Sequence, residues 1–201
     1  MSGRIVVLIS GSGSNMEALV EACERRQVPG HVEAVVADRE CRGLRAAQER
    51  GIETHLIDFS SFDEREKWST ALRDVVRSYD PDLVVSAGFM RILAPVFVDA
   101  FPNKVINLHP ALLPAFAGAH GVRDALAHGV KVTGSTVHFV DHLVDHGPIL
   151  LQEAVAVEAG DTVESLHERI KQVEHRLLPE ACRLILEGKV SVEGTQVRVG
   201  D

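Results

Sequence analysis

The chain opens on an unbroken apolar, largely β-branched run, Ile5 to Ile9, that stops at Ser10-Gly11-Ser12-Gly13-Ser14-Asn15. A short apolar run closed by glycines predicts a buried strand entering a tight turn. The spacing then changes: Met16, Leu19, Val20 and Cys23 recur at helical intervals, predicting a helix over 16–26. The same switch repeats along the chain. Val32 to Ala37 reads as a strand, Leu44 to Arg50 as a helix stopped by Gly51, and Thr54 to Ile57 as a third strand. Phe62 to Tyr79 reads as a longer amphipathic helix, and Leu83 to Ser86, entered through Pro81-Asp82, as a fourth strand. Strands alternating with helices predict a largely parallel sheet with right-handed crossovers and helices on both faces.

Beyond Ser86 the rhythm loosens. Val105 to Leu108 is a fifth strand, Pro110 to Gly121 a loop, and Val122 to His128 a short helix. Thr133 to Val140 and Ile149 to Val157 read as strands paired with one another. Thr162 to Glu187 is the longest helix, capped by Asp161 or Thr162 and stopped at Gly188. The tail, Val190 to Val199, reads as a hairpin turning at Glu193-Gly194. No linker, repeat or low-complexity stretch interrupts the chain. The predicted fold is therefore α/β: a Rossmann-like open, mostly parallel twisted sheet with helices on both faces, in one domain over residues 1–201.

Composition narrows what such a fold does. A chain of 201 residues buries a core without staples. Its net charge of -8 with neutral histidines argues against a general nucleic-acid binder, which needs a basic face. Anionic small substrates stay open, provided a local patch of N–H groups and cations works against the global field. Cys23, Cys41 and Cys182 are odd in number and far apart, as in a reduced protein with free thiols. The apolar N-terminus is too brief for a signal peptide, and no apolar stretch approaches the ~20 residues of a membrane span. The expectation is a soluble cytoplasmic protein with neither membrane nor nucleic-acid partner.

Four segments carry candidate chemistry. In Gly11-Ser12-Gly13-Ser14-Asn15 a glycine turn leads into a helix, where backbone N–H groups and the helix dipole favour an anion. A plain tight turn with a helix cap has the same sequence. The GxGxxG dinucleotide pattern is incomplete, since its third glycine falls on Met16, and the only acid placed for a ribose is Asp38. Asn107 and His109 alternate along a strand, so they share one face at its C-terminal end, where open α/β sheets bind ligands. A paired amide and imidazole suits a developing oxyanion, though a structural Asn beside a surface His is the commoner source of the same spacing. Asp145 lies in a glycine-containing loop, able to charge a histidine or simply to close an Asx turn. His138, His142 and His146 are close in sequence but match no standard ligand spacing, so no metal is expected. Finally, Met90-Arg91-Ile92-Leu93 after Gly88 forms an apolar loop with one arginine, suited to a flat ligand bearing carboxylates or to packing on the core.

Taken together these segments resemble the phosphoribosylglycinamide formyltransferases of purine biosynthesis. The resemblance spans essentially the whole chain and rests on "VVLISGSGSN", "AGFMRIL", "INLHPALLPAFAGAHG" and "GSTVHFVDHLVDHGPIL" in that order. It implies transfer of a formyl group from 10-formyltetrahydrofolate, as donor co-substrate, to the amine of glycinamide ribonucleotide, with no metal. It implies Asn107, His109 and Asp145 as the catalytic trio. Gly13, Ser14, Asn15, Met16 and Glu17 would hold the ribonucleotide phosphate, and Glu174 its ribose. Met90, Arg91, Ile92 and Leu93 would line the folate pocket together with Asn107, and Val140, Asp141, Val144 and Asp145 would face them. Arg65 would meet the folate tail. Residues 1–100 would then form a phosphate-binding half and 101–201 a catalytic and folate-loop half, with small-molecule partners and room for a homodimer. Related enzymes acting on methionyl-tRNA or hydrolysing the formyl folate would need an RNA-binding or an N-terminal regulatory domain, and neither is expected here. The chain departs from the family pattern at Ala111, where Ser is usual, at Ala117, where Pro is usual, and at His142-Leu143, where an acidic residue and Gly are usual. If that glycine takes a positive φ, Leu143 would be strained or its loop would follow another path.

Overall fold

The computed structural model describes residues 2–200. Seven strands form one twisted sheet: β1 (Gly3–Ile9), β2 (Gly30–Ala37), β3 (Glu53–Leu56), β4 (Leu83–Ser86), β5 (Val105–His109), β6 (Val132–Phe139) and β7 (Ile149–Ala156). Their spatial order is β3-β2-β1-β4-β5-β6-β7. β1 to β5 pair in parallel, while β6 and β7 are antiparallel to their neighbours. The chain winds outward from β1 to β3, then returns to place β4 on the other side of β1. That reversal is the switch point at which open α/β sheets leave a crevice beyond the strand ends.

The helices are α1 (Ser14–Glu24), α2 (Arg42–Glu49), α3 (Arg65–Ser78), α4 (Pro95–Val98), α5 (Gly121–His128) and α6 (Val163–Leu186). Alternation along β1 divides them into two layers. Ile5, Val7 and Ile9 face α1, α2 and the C-terminal half of α6, packing with Leu19, Leu44, Leu178 and Cys182. Val6 and Leu8 face α3 and the segment around α4, packing with Trp68, Leu72, Phe97 and Phe101. Side chains of this size contribute about 1.5–3 kcal/mol each when fully buried, and these two layers hold the strand ends still.

Predicted and observed elements agree in kind and differ at their ends. α3 starts at Arg65 rather than Phe62, because residues 59–61 form a 3₁₀ turn whose start is capped by Asp58, which accepts from Ser60 N–H at 2.9 Å. α6 is capped by Thr162, in a reciprocal pair with Ser165. α4 was not predicted. Four residues are too few for a helical period, and its only local signal is Pro95 at the first position. The tail forms the expected hairpin, β8 (Val190–Glu193) and β9 (Gln196–Val199).

Candidate active site

A cleft of about 670 Å³ opens beyond the C-terminal ends of β1, β4 and β5. At one end lies the Gly11–Asn15 turn. Gly13 takes φ 80° and precedes α1, and no side chain caps that helix. Its first N–H groups are thus left for an anion, which the helix dipole also favours. The turn is braced from behind, where Gly43 N–H donates to Gly11 O at 3.0 Å. A Cβ on Gly13 would lie 2.6 Å from the Gly43 Cα, so only glycine fits.

Three side chains of α6 reach the same end of the cleft: His167, Lys171 and Glu174. Sequence reading found Glu174 only through resemblance and missed the other two, although the spacing i, i+4, i+7 puts all three on one helical face. Lys171 puts a cation at this end of the cleft, its ammonium paired at 2.7 Å with the exposed Glu168. Burial, and then Lys171 itself, push His167 below the usual imidazole range. Glu174 is buried, and that burial raises its carboxyl above the ordinary range despite hydrogen bonds from Asn15 and Ser135. Asn15 Nδ2 donates to Glu174 Oε2 at 2.9 Å, while Asn15 Oδ1 is buried without a partner.

Some expected residues lie off the cleft wall. The Met16 side chain is fully buried in the layer under α1, so only its backbone is left to meet a ligand. Glu17 N–H is taken by Gly13 O at 2.8 Å, and its carboxylate pairs with Arg42. Arg65 is exposed at the start of α3, outside the cleft.

Asn107, His109 and Asp145 meet at the centre. β5 supplies the first two from one face of its C-terminal end, and the loop after β6 supplies the third, at φ 50°. Asp and Asn tolerate that left-handed backbone better than most residues. Asp145 Oδ2 accepts from Gly118 N–H at 2.8 Å and lies 3.3 Å from His109 Nδ1. His109 Nε2 is 2.8 Å from Phe116 O, a group that can only accept. Both ring nitrogens therefore face acceptors, an arrangement that the doubly protonated ring satisfies and the neutral ring does not. Burial raises the Asp145 carboxyl, but contacts with His138, Gly118 N–H and His109 outweigh it and hold the group below the usual carboxylate range.

A chain of hydrogen bonds fixes the Asn107 amide. His138 Nδ1 lies 2.9 Å from Phe139 O, and its Nε2 lies 3.2 Å from Asn107 Nδ2 and 3.6 Å from Asp145 Oδ1. Asn107 Oδ1 accepts from Ser86 Oγ at 2.7 Å. The amide NH₂ consequently points toward Asp145, whose Oδ1 is 3.4 Å away. Ser86 and His138 complete the site, and sequence reading gave neither this part. The signal for Ser86 is register: it pairs with Asn107 across β4 and β5.

The other end of the cleft is apolar. Met90 and Ile92 on one lip and Leu143 and Val144 on the other are at least half exposed. Leu93, Val140 and Asp141 line the wall below. The Arg91 guanidinium, expected to meet a ligand carboxylate, is instead tied to Asp38 at 2.6 Å and lies 4.1 Å over the Phe59 ring. Its charge is taken within the protein. Leu143 escapes the expected strain: positive φ falls on Asp145, while Leu143 N–H closes a turn on Asp141 Oδ1 at 2.9 Å. His142 and His146 do not join His138, being bound to Asp99 and Asp141 respectively. Among the described residues no group of three or more His, Cys, Asp or Glu is placed to hold a metal ion, and no helix is long and apolar enough to cross a membrane.

Comparison with known proteins gives a consistent picture. Residues 3–182 match the formyl transferase family. The phosphoribosylglycinamide formyltransferase of Mycobacterium tuberculosis (strain ATCC 25618 / H37Rv) is 48% identical over 197 residues, covering 98% of this chain and 91% of that protein. The enzyme of the same name from Escherichia coli (strain K12) is 41% identical over 189 residues, covering 94% of this chain and 89% of the other. The crystal structure of glycinamide ribonucleotide transformylase 1 from Symbiobacterium toebii superposes with a TM-score of 0.97 at 47% identity, over 99% of this chain and 94% of that one.

Proposed function

Because the chain belongs to the formyl transferase family, among its phosphoribosylglycinamide formyltransferases, we infer that its cleft carries a formyl group from 10-formyltetrahydrofolate to the amine of glycinamide ribonucleotide. The observation that carries this reading is the meeting of Asn107, His109 and Asp145 between an anion-binding helix start and an apolar opening. In the reading, the Gly11–Asn15 turn and Lys171 hold the phosphate, and Glu174 with Asn15 takes the ribose hydroxyls. Met90 to Leu93, Val140, Asp141 and Val144 flank the folate ring system. Arg65, outside the cleft, is left for the anionic folate tail.

The reaction is acyl transfer between two bound substrates. The ribonucleotide amine attacks the formyl carbon, and negative charge grows on the formyl oxygen. The Asn107 NH₂ and the His109 imidazolium stabilise it. That oxyanion is a stronger acceptor than the neutral Phe116 carbonyl now facing Nε2, so the Nε2–H hydrogen bond turns to it as charge develops while the proton stays on the ring. Asp145, held anionic, keeps the ring charged and holds a water that moves the proton from the attacking nitrogen to N10 of the leaving folate. The C–N bond to N10 breaks as the new amide forms, and no covalent enzyme intermediate is needed. The enzyme is read as soluble and cytoplasmic, with residues 1–100 giving the phosphate site and 101–201 the catalytic and folate loops.

The test is direct turnover. Purified protein is given a stable 10-formyl folate analogue with and without glycinamide ribonucleotide. Folate release that requires the amine supports the reading. Release without it points to hydrolysis, and no release with both substrates overturns the assignment.

A further inference from the structure

We propose that Asp38 is a positioning residue for the formyl donor: its buried carboxylate, just past β2, ties down the Gly88–Leu93 loop through Arg91, although it does not itself line the cleft. The inference rests on the reading of that loop as a wall of the folate subsite.

Asp38 follows β2, where a dinucleotide-binding protein would offer its acid to a ribose. Here the side chain is wholly buried, and its oxygens are taken by groups of the protein. Arg39 Nη2 donates at 3.0 Å and Arg91 Nε at 2.6 Å. Next to them, the Ser10 hydroxyl accepts from Met90 N–H at 2.8 Å. The loop is thus held at two successive residues, Met90 by Ser10 and Arg91 by Asp38. The backbone of Asp38 adds a link, since Phe59 N–H donates to its carbonyl at 3.0 Å and the Phe59 ring lies under the Arg91 guanidinium. Burial alone would raise this carboxyl. The bonds from Arg39 and Arg91 outweigh it and hold it below the usual range, so the hub stays charged at neutral pH.

Two guanidinium groups on one buried carboxylate form a unit that Asn cannot replace. Asp38→Asn keeps the shape but loses the charge, and its NH₂ turns a donor toward donors. Arg91 is then released, and the loop bearing Met90 and Ile92 loses its fixed course. The ribonucleotide end is spared, because the N–H groups at the start of α1 take no part in the Asp38 bonds.

The experiment is steady-state kinetics of Asp38→Asn, Arg91→Gln and the double variant, with folding checked by thermal melting. Trp68, the only tryptophan, supplies a second readout, since it stacks on Phe89 of the same loop at 5.9 Å and 18°. The expected result is a KM for the formyl donor raised about tenfold in each single variant, with kcat and the ribonucleotide KM within about threefold. The double should be no worse than the worse single, because the two residues act as one unit. Trp68 emission should shift before any ligand is added. An unchanged donor KM, equal rises in both KM values, or additive losses would overturn the inference. If Asp38→Asn fails to fold, Arg91→Gln, which cuts the same bond from the other side, carries the same expectation and the same refutation. Normal wild-type turnover beside an unaffected variant removes this inference alone, whereas a wild type that does not turn over the donor removes the reading beneath it.

Discussion

Strands β1 to β4 bury one polar side chain, Ser86 at their last residue, whereas β5 and β6 bury His109, Thr133, Ser135, Thr136 and His138. The dry parallel half meets its ligand with backbone, through a glycine turn and a helix start that need no side-chain chemistry. The polar antiparallel half meets it with side chains, each aimed by another: Phe139 O sets His138, His138 and Ser86 set Asn107, and Gly118 and His109 set Asp145. A backbone site tolerates changes around it and fails on any added atom. A side-chain site tolerates added atoms poorly too, but it fails first on lost charge or lost orientation.

The largest expected effect tests the second half of that contrast. Asp145→Asn nearly preserves shape and suits the same φ, yet removes the charge. It should lower kcat by roughly 10²–10⁴-fold with little change in either KM. Paired with His109→Ala, it should be scarcely worse than the worse single. Near-normal turnover in Asp145→Asn would make the residue only a turn former.

Gly13→Val tests the backbone half. It adds atoms where the Gly43 backbone already stands and forces a β-branched residue to positive φ, which costs about 1–2 kcal/mol before any clash. The ribonucleotide KM should rise by roughly 10- to 100-fold while folate binding is spared. An unchanged KM in a folded variant would remove the phosphate from this turn.

Ser86→Ala sharpens the boundary between the halves, since this one polar residue of the dry half orients the amide of the other. Losing a net hydrogen bond of about 1 kcal/mol should cost roughly fivefold in kcat with both KM values kept. A fall in melting temperature without a fall in kcat would make Ser86 a packing residue.

The smallest effect concerns Glu174. Its carboxyl is raised by burial, so the folded protein binds this proton more tightly than the unfolded chain does. The stability linked to the proton is full below the ordinary value of 4.5 and is lost as pH climbs toward the folded value. Gln does not titrate. The melting temperature of Glu174→Gln relative to wild type should therefore gain a few degrees as pH rises above 4.5. A constant or shrinking difference would show that the carboxyl is not raised.

The same contrast explains what was legible in the sequence. The strands and helices of the dry half announce themselves in apolar period, and the anion turn lies within five consecutive residues. Asn107 and His109 were visible as a pair because two residues apart on a strand means one face. Asp145 was not visible as their partner, because nothing local tells a residue 38 positions away that it will reach Asn107. Resemblance supplied that link. The commitment of Arg91 to Asp38 was hidden for the same reason: an arginine in an apolar loop looks free until a buried acid from beyond β2 is seen beside it.

The crossing of Gly13 and Gly43 has a consequence for descent. A side chain on either closes the same gap, since a Cβ on Gly43 would lie 2.9 Å from the Gly13 Cα and 2.7 Å from the Ile9 side chain. Each residue is already the smallest available, so neither can offer a compensating change when the other mutates. Suppressors of a substitution at one should never map to its mate; they should map to neighbours that let the Gly11–Asn15 turn and the start of α2 separate, such as Ile9. In a mutational history the two glycines then behave as a single inherited unit, though they sit 30 residues apart.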